Sequence, residues 1–177
     1  MSAGVDLLAE QGWSAITTRA VADRAGANLG LIHYHFGGLA ALRLAIAQQA
    51  TDEVIGPVVG GFLAAADERE ALDALRRLLP ETTADLRVTR LATELMTEGF
   101  RDPVLGEMSR DGLRAAREHV AVRLERLRPD WSPARRTGAA ILIAALLDGL
   151  MLHCLLDPEL EIDAALTALT DLMGVRR

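Results

Sequence analysis

The sequence predicts an all-α protein, and three observations carry that expectation. Half of the residues are apolar but only 3% are aromatic, so Ala, Leu and Val must fill the interior, which suits helices packed on helices. Apolar residues recur at spacings of three and four, as in Leu113, Ala116, Val120, Leu124 and Leu127, and again in Ile162, Ala165, Leu166, Leu169, Leu172 and Met173. No stretch alternates apolar and polar residues as a half-buried strand would. About nine helices are expected from the 177 residues.

Taken in chain order, the first 47 residues are short segments separated by Gly12, Gly26 and the pair Gly37 with Gly38. Thr17 suits the cap of a helix from Thr18 to Ala25 whose Val21 and Ala22 face inward. Gly26 makes the turn, and Asn28 caps the next helix, where Ile32 and Phe36 share a face at i and i+4. This is the layout of a helix-turn-helix. The face left outside carries Leu29, Gly30, His33 and part of Tyr34, with His and Tyr able to donate to phosphates or base edges.

Further along, Asp102, Ser132 and Asp157 each precede a proline, so all three mark expected helix starts. Gly56 with Pro57, Pro80 and Pro129 are expected stops, and Gly174 suits a position just past a helix end. Gly138 to Leu156 is an apolar run of 19 residues, long enough to span a bilayer. Asp148 near its midpoint would cost about 2.5 to 3.5 kcal/mol there, so a soluble helix packed on its own core and on a second subunit is expected instead, with no membrane partner. Gly138, Ala145 and Gly149 fall on one stripe that permits close helix approach.

Several chemistries lack their residues. The single Cys154 rules out an intrachain disulfide and a thiol cluster, fits a reducing, cytoplasmic setting, and leaves no metal or other cofactor expected. No secretory signal is read in Met1 to Trp13. His33 and His35, two apart, point to different sides of a helix, and no Glu-x-x-His occurs, so a di-iron bundle is not expected. His153 beside Cys154 has no third group to orient it, so no catalytic residue is assigned and no enzyme is expected. All 19 cations are Arg, and the net charge of −6 argues against a protein that coats nucleic acid everywhere. Arg101 to Arg136 holds nine Arg against six acids, a rival basic patch, but Arg114 with Glu118 and Glu125 with Arg128 suggest a solvated, paired face.

The N-terminal segment resembles the TetR family of bacterial transcriptional regulators. Ala-Ile-Thr-Thr-Arg-Ala-Val-Ala-Asp-Arg-Ala-Gly (15 to 26) resembles the family's second helix, and Asn-Leu-Gly-Leu-Ile-His-Tyr-His-Phe (28 to 36) its recognition helix. With Leu7, Leu8, Gly12 and Trp13 ahead and Ala41 and Leu42 behind, the likeness covers residues 3 to 47. A looser one, over 145 to 159, is similar to the helix that builds the dimer interface in many members.

The resemblance implies a three-helix DNA-binding domain over 1–47 and a helical ligand-binding and dimerisation domain over 48–177. It further implies a homodimeric repressor, bound to a palindromic double-stranded DNA operator and released by a small effector. Thr17 and Thr18 would contact phosphate and Arg19 a base or phosphate; Leu29, Gly30, Leu31 and His33 would lie nearest the bases, with Tyr34 and His35 toward the backbone, and Asn28 is counted with them in the DNA-binding set. Leu29, Leu31 and Leu39 depart from the polar or basic residues common at those places. The scarcity of aromatics implies an aliphatic pocket for a largely apolar effector. Met96, Phe100, Trp131 and His153 are its candidate lining, and Arg90, Glu94 and His119 its candidate anchors.

Overall fold

The computed structural model describes residues 1–157 and 159–173. Among them the chain forms nine α-helices, one 3-10 turn at Trp13–Ala15 and no strand. The helices are α1 (Ser2–Gln11), α2 (Thr18–Ala25), α3 (Leu29–Phe36), α4 (Leu39–Ala64), α5 (Glu68–Thr83), α6 (Leu86–Arg101), α7 (Pro103–Leu127), α8 (Pro133–Leu156) and α9 (Ile162–Met173).

Two of the three cap-and-proline pairs start helices. Asp102 Oδ1 accepts from the N–H groups of Val104 and Leu105 to open α7, and Ser132 Oγ accepts from Arg135 N to open α8. Asp157 instead ends α8, its N–H donating to the His153 carbonyl, while its Oδ1 accepts from Glu159 N in a turn; α9 starts only at Ile162. Pro158 and Gly174 lie outside the described residues.

The expected stops fare unevenly. Pro129 follows the end of α7, but Pro57 sits inside α4 and Pro80 inside α5. A proline removes one N–H donor and crowds the residue before it. At Pro57 that residue is Gly56, which has no Cβ to crowd, and both are exposed. At Pro80 burial of the neighbours Leu79 and Thr82 carries the helix one turn further, to Thr83.

Two compact units emerge, neither continuous in sequence: Met1–Gly56 with Leu86–Ser109, and Pro57–Asp85 with Arg110 onward. In unit one, Val5, Leu8, Leu42, Ile46 and Leu91 are wholly or almost wholly buried, each such Leu or Ile contributing about 1.5 to 3 kcal/mol of transfer energy. Gly4 lets α1 lie against α4, since a Cβ there would stand 2.6 Å from Ile46 Cδ1. Polar ties then fasten α6 to the N-terminal helices. Arg87 pairs with Asp6 at 2.8 Å and with Glu53 at 3.2 Å. The Trp13 N–H donates to Glu94 Oε2 at 3.2 Å and its indole Nε1 to the Glu94 carbonyl at 3.1 Å. Arg43 lies over the Trp13 ring and donates to its carbonyl.

Unit two has two smaller clusters. Val58, Leu72, Leu75, Leu79, Cys154, Ile162 and Leu166 form one, and Val120, Leu124 and Ala140 the other. Arg123 on α7 is buried and donates to the carbonyls of Leu63 and Ala65 at the end of α4, satisfying acceptors that the helix itself leaves open. On α7 Arg114 meets Asp111 at 2.7 Å, one turn back, and Glu125 meets Arg136 at 3.0 Å. Helix α8 is long and apolar enough to cross a membrane, yet only 17% of its most apolar stretch is buried in the single chain. At 100° per residue, Ala139, Ile143 and Leu147 turn toward the unit's interior, while Ile141, Ala145, Asp148, Leu152 and Leu156 form a second stripe that is exposed.

Candidate functional site

The first candidate surface is built by α2, the turn after it and α3. Thr17 Oγ1 accepts from Ala20 N at 3.0 Å and Asn28 Oδ1 from Gly30 N at 2.8 Å, so each helix begins on its own side-chain cap. Gly26 ends α2 with φ at 61°, in the left-handed region where a residue with a Cβ is strained, and this sets the sharp turn into α3. Val21, Ala22 and Ile32 are buried and Phe36 packs on the same core. With the inward side anchored, the other face of α3 has nowhere to go but outward.

All ten residues singled out on this surface lie there together. Thr17, Arg19, Asn28, Leu29, Gly30, Leu31, His33, Tyr34 and His35 are exposed and Thr18 is half-buried. Tyr34 is 83% exposed, its ring edge-on to that of His35 at 5.3 Å. Arg19 projects into solvent, its Nε 3.9 Å from Asp23 Oδ2 one turn on, a distance too long to immobilise it. Arg24, by contrast, is held by a bidentate pair with Glu10, and its hydrogen bond keeps the Glu10 carboxyl below the usual range. Asn28 and Thr17 spend their oxygens on caps, so positioning the backbone is a role each already has.

The second candidate is a cavity of about 460 Å³ inside unit two. Its walls come from α4, α5, α7, α8 and α9, with Phe62, Leu72, Leu124, Leu146 and Leu169 among the aliphatic and aromatic members and Asp67, Arg123, Arg128 and Arg135 as the charged ones. Of the seven residues singled out for an effector site, Trp131 lines this cavity and the other six do not. Arg90, His119 and His153 are exposed, Met96 and Phe100 stand at the surface with Phe100 86% exposed, and Glu94 holds Trp13 in unit one.

Sequence reasoning missed the charged lining, although a signal existed. Arg123 falls on the same helical stripe as Val120, Leu124 and Leu127, and Arg135 on that of Ala139, Leu142 and Leu146, so each is a cation on an otherwise apolar face. Among the described residues no cluster of His, Cys, Asp and Glu is arranged to hold a metal ion.

Comparison with known proteins gives matches for both parts of the chain. Residues 1–46 match the family described as bacterial regulatory proteins, tetR family, and residues 67–173 match the C-terminal domain of BetI-type transcriptional repressors. No curated protein matches the chain. Among solved structures, SCO7518 of Streptomyces coelicolor A3(2), assigned as a transcriptional regulator, is 32% identical over 96% of this chain and 93% of its own, with a TM-score of 0.77. The multidrug binding protein EbrR, solved with imidazole, is 26% identical over 97% of this chain and 86% of its own, with a TM-score of 0.71. SmeT in complex with triclosan shares the fold at 19% identity and a TM-score of 0.66, over 89% of this chain and 78% of its own. A helix-turn-helix at one end, a helical ligand-binding type of domain after it and these matches along nearly the whole length agree: the chain belongs to the tetR family of bacterial regulatory proteins and is a transcriptional regulator.

Proposed function

We propose that this regulator is a cytoplasmic repressor that binds a palindromic operator as a homodimer and leaves it when a small, largely apolar effector fills the cavity of unit two. Residues 1–47 serve as the DNA-binding domain and 48–177 as the ligand-binding and dimerisation domain. The observation that carries the reading is the outward face of α3, where Leu29, Leu31, His33 and Tyr34 are exposed around a glycine while Ile32 is buried beneath. A helix so presented fits the major groove. On it Leu29 and Leu31 suit thymine methyls, His33 and Tyr34 suit sugar and phosphate, and Arg19 suits a guanine edge taken bidentately.

Support for the homodimer comes from the second stripe of α8. A soluble monomer rarely exposes a contiguous apolar patch of more than a few hundred Å², and pairing Ile141, Ala145, Leu152 and Leu156 with their copies removes one. A two-fold dimer then sets two recognition helices about 34 to 36 Å apart, one turn of DNA. Binding by EbrR, a relative over nearly the same length, supports a small-molecule role for the cavity. The effector acts through whatever difference in affinity it has for the two states, with α4, which carries residues of both units, as the lever.

The test is a gel-shift titration at fixed salt on DNA flanking the protein's own gene. Arg19→Ala should weaken specific binding about tenfold, within the roughly 1 to 3 kcal/mol that a bidentate base contact supplies, and leave the dimer intact. Arg114→Ala, which loses only an exposed pair with Asp111, should leave binding nearly unchanged. The reverse pattern would move the DNA site to α7.

A further inference from the structure

Among the described residues the charged members of the cavity in unit two are Arg123, Arg128, Arg135 and Asp67, and Arg128 has a further partner, so the positive charge that bears on a ligand is that of Arg123 and Arg135. Asp67 is committed to capping α5, its Oδ1 accepting from Glu70 N at 2.8 Å. Arg123 donates to the Leu63 and Ala65 carbonyls. Those acceptors are neutral, so its charge stays in the wall. Among the described residues no carboxylate comes within ion-pair distance of Arg123 or Arg135. Arg123 is buried beside Leu72 and Leu124, so its charge is little screened, whereas Arg135 is exposed at the cavity's edge, where a ligand's head group can reach it.

Trp131 sharpens the point. An indole in an aliphatic pocket is the usual receiver of a quaternary ammonium group, through attraction between the cation and the ring face. Here that ring is already met by the protein's own cations, the Arg135 guanidinium at 4.2 Å from its centroid and that of Arg128 at 5.8 Å. A positively charged ligand would find the ring occupied and like charges beside it. An anion would find the opposite: a planar donor group at the exposed Arg135, pre-set by stacking, with an aliphatic wall behind it.

We infer that the cavity takes an amphipathic anion, an apolar body seated among the leucines with a carboxylate-type head at Arg135 beside Trp131. This rests on the reading of the cavity as the effector site. Calorimetric titration of the full-length protein with decanoate, decanol and decyltrimethylammonium, each below its micelle concentration, tests it. Decanoate is expected to bind at least tenfold more tightly than decanol, with decyltrimethylammonium the weakest. Arg135→Gln should bring decanoate down to the level of decanol while decanol itself is unmoved, which separates a lost charge from a damaged cavity. Equal or tighter binding of decyltrimethylammonium, an Arg135→Gln variant that keeps the decanoate preference, or no binding by any of the three would overturn the inference. A gel shift with decanoate present keeps the two readings apart: a clear anion preference without release of DNA supports the anion site and overturns its role as an effector switch.

Discussion

In unit one, Leu8, Leu42, Ile46 and Leu91 are sealed from water and α6 is fastened by Trp13 to Glu94 and by Arg87 to Asp6 and Glu53. In unit two, Leu142 and Leu156 are 72% and 75% exposed, and a cavity of about 460 Å³ remains between the helices. The same helical vocabulary thus gives a cross-tied body with a sealed core and one with a larger cavity among its helices and an apolar stripe on α8. A surface that reads DNA must hold its helices in one geometry, and a filled core with few voids does that. A unit that admits a ligand must keep space, and its exposed leucines mark where a second copy is expected to complete it. Buried apolar residues therefore hold each unit together, while the exposed ones are candidate contact surfaces in both: Leu29 and Leu31 on α3, and Ile141 and Leu156 on α8.

The largest effect expected is a contrast between two leucine truncations. Leu42→Ala should cost about 2 to 5 kcal/mol in urea unfolding, because the side chain is fully buried and leaves a void. Leu146→Ala, on the wall of an existing cavity and 40% exposed, should cost under about 1 kcal/mol. Equal losses at the two positions would erase the distinction between the units.

A smaller effect probes the ties of unit one. Glu94→Ala removes the acceptor of the Trp13 N–H and should cost about 1 kcal/mol, with a matching fall in hydrogen-exchange protection of the Trp13 amide. No change in either measurement would show that the Glu94 carboxylate adds nothing to the hold on α6.

How far the sequence revealed these features depended on range. The caps at Thr17 and Asn28 and the turn at Gly26 act over two or three residues, so the helix-turn-helix could be read directly. The Trp13 to Glu94 bonds span 81 residues, and no local pattern announces them, which is why Glu94 looked like a ligand anchor rather than a strut. Pro57 and Pro80 looked like stops because propensity alone decides at an exposed site, whereas packing of Val58 and Leu79 carries both helices through. The cavity was the least legible part. Its arginines, counted with the solvated ones of α7, gave a basic patch, and only the stripe each occupies separates lining from surface.

The smallest expected effect lies on the exposed stripe of α8. Burial raises the Asp148 carboxyl above its ordinary value, with Arg117 opposing, although one face stays open to water. A carboxyl whose folded value is raised binds its proton more tightly in the native state, so stability falls as pH rises through the interval between the unfolded and folded values. Asp148→Asn should therefore raise Tm by about 1 °C at pH 7 and by less near pH 4. A gain that grows toward acid would reverse the sign and contradict a carboxyl that burial holds above its ordinary value.

The division of labour itself is tested most directly by footprinting the unaltered protein on the DNA that flanks its own gene. The account predicts two protected half-sites related by a two-fold axis, about one helical turn apart on one face of the duplex, both lost together in Arg19→Ala. A single protected half-site, or continuous protection that spreads with concentration and survives Arg19→Ala, would contradict it.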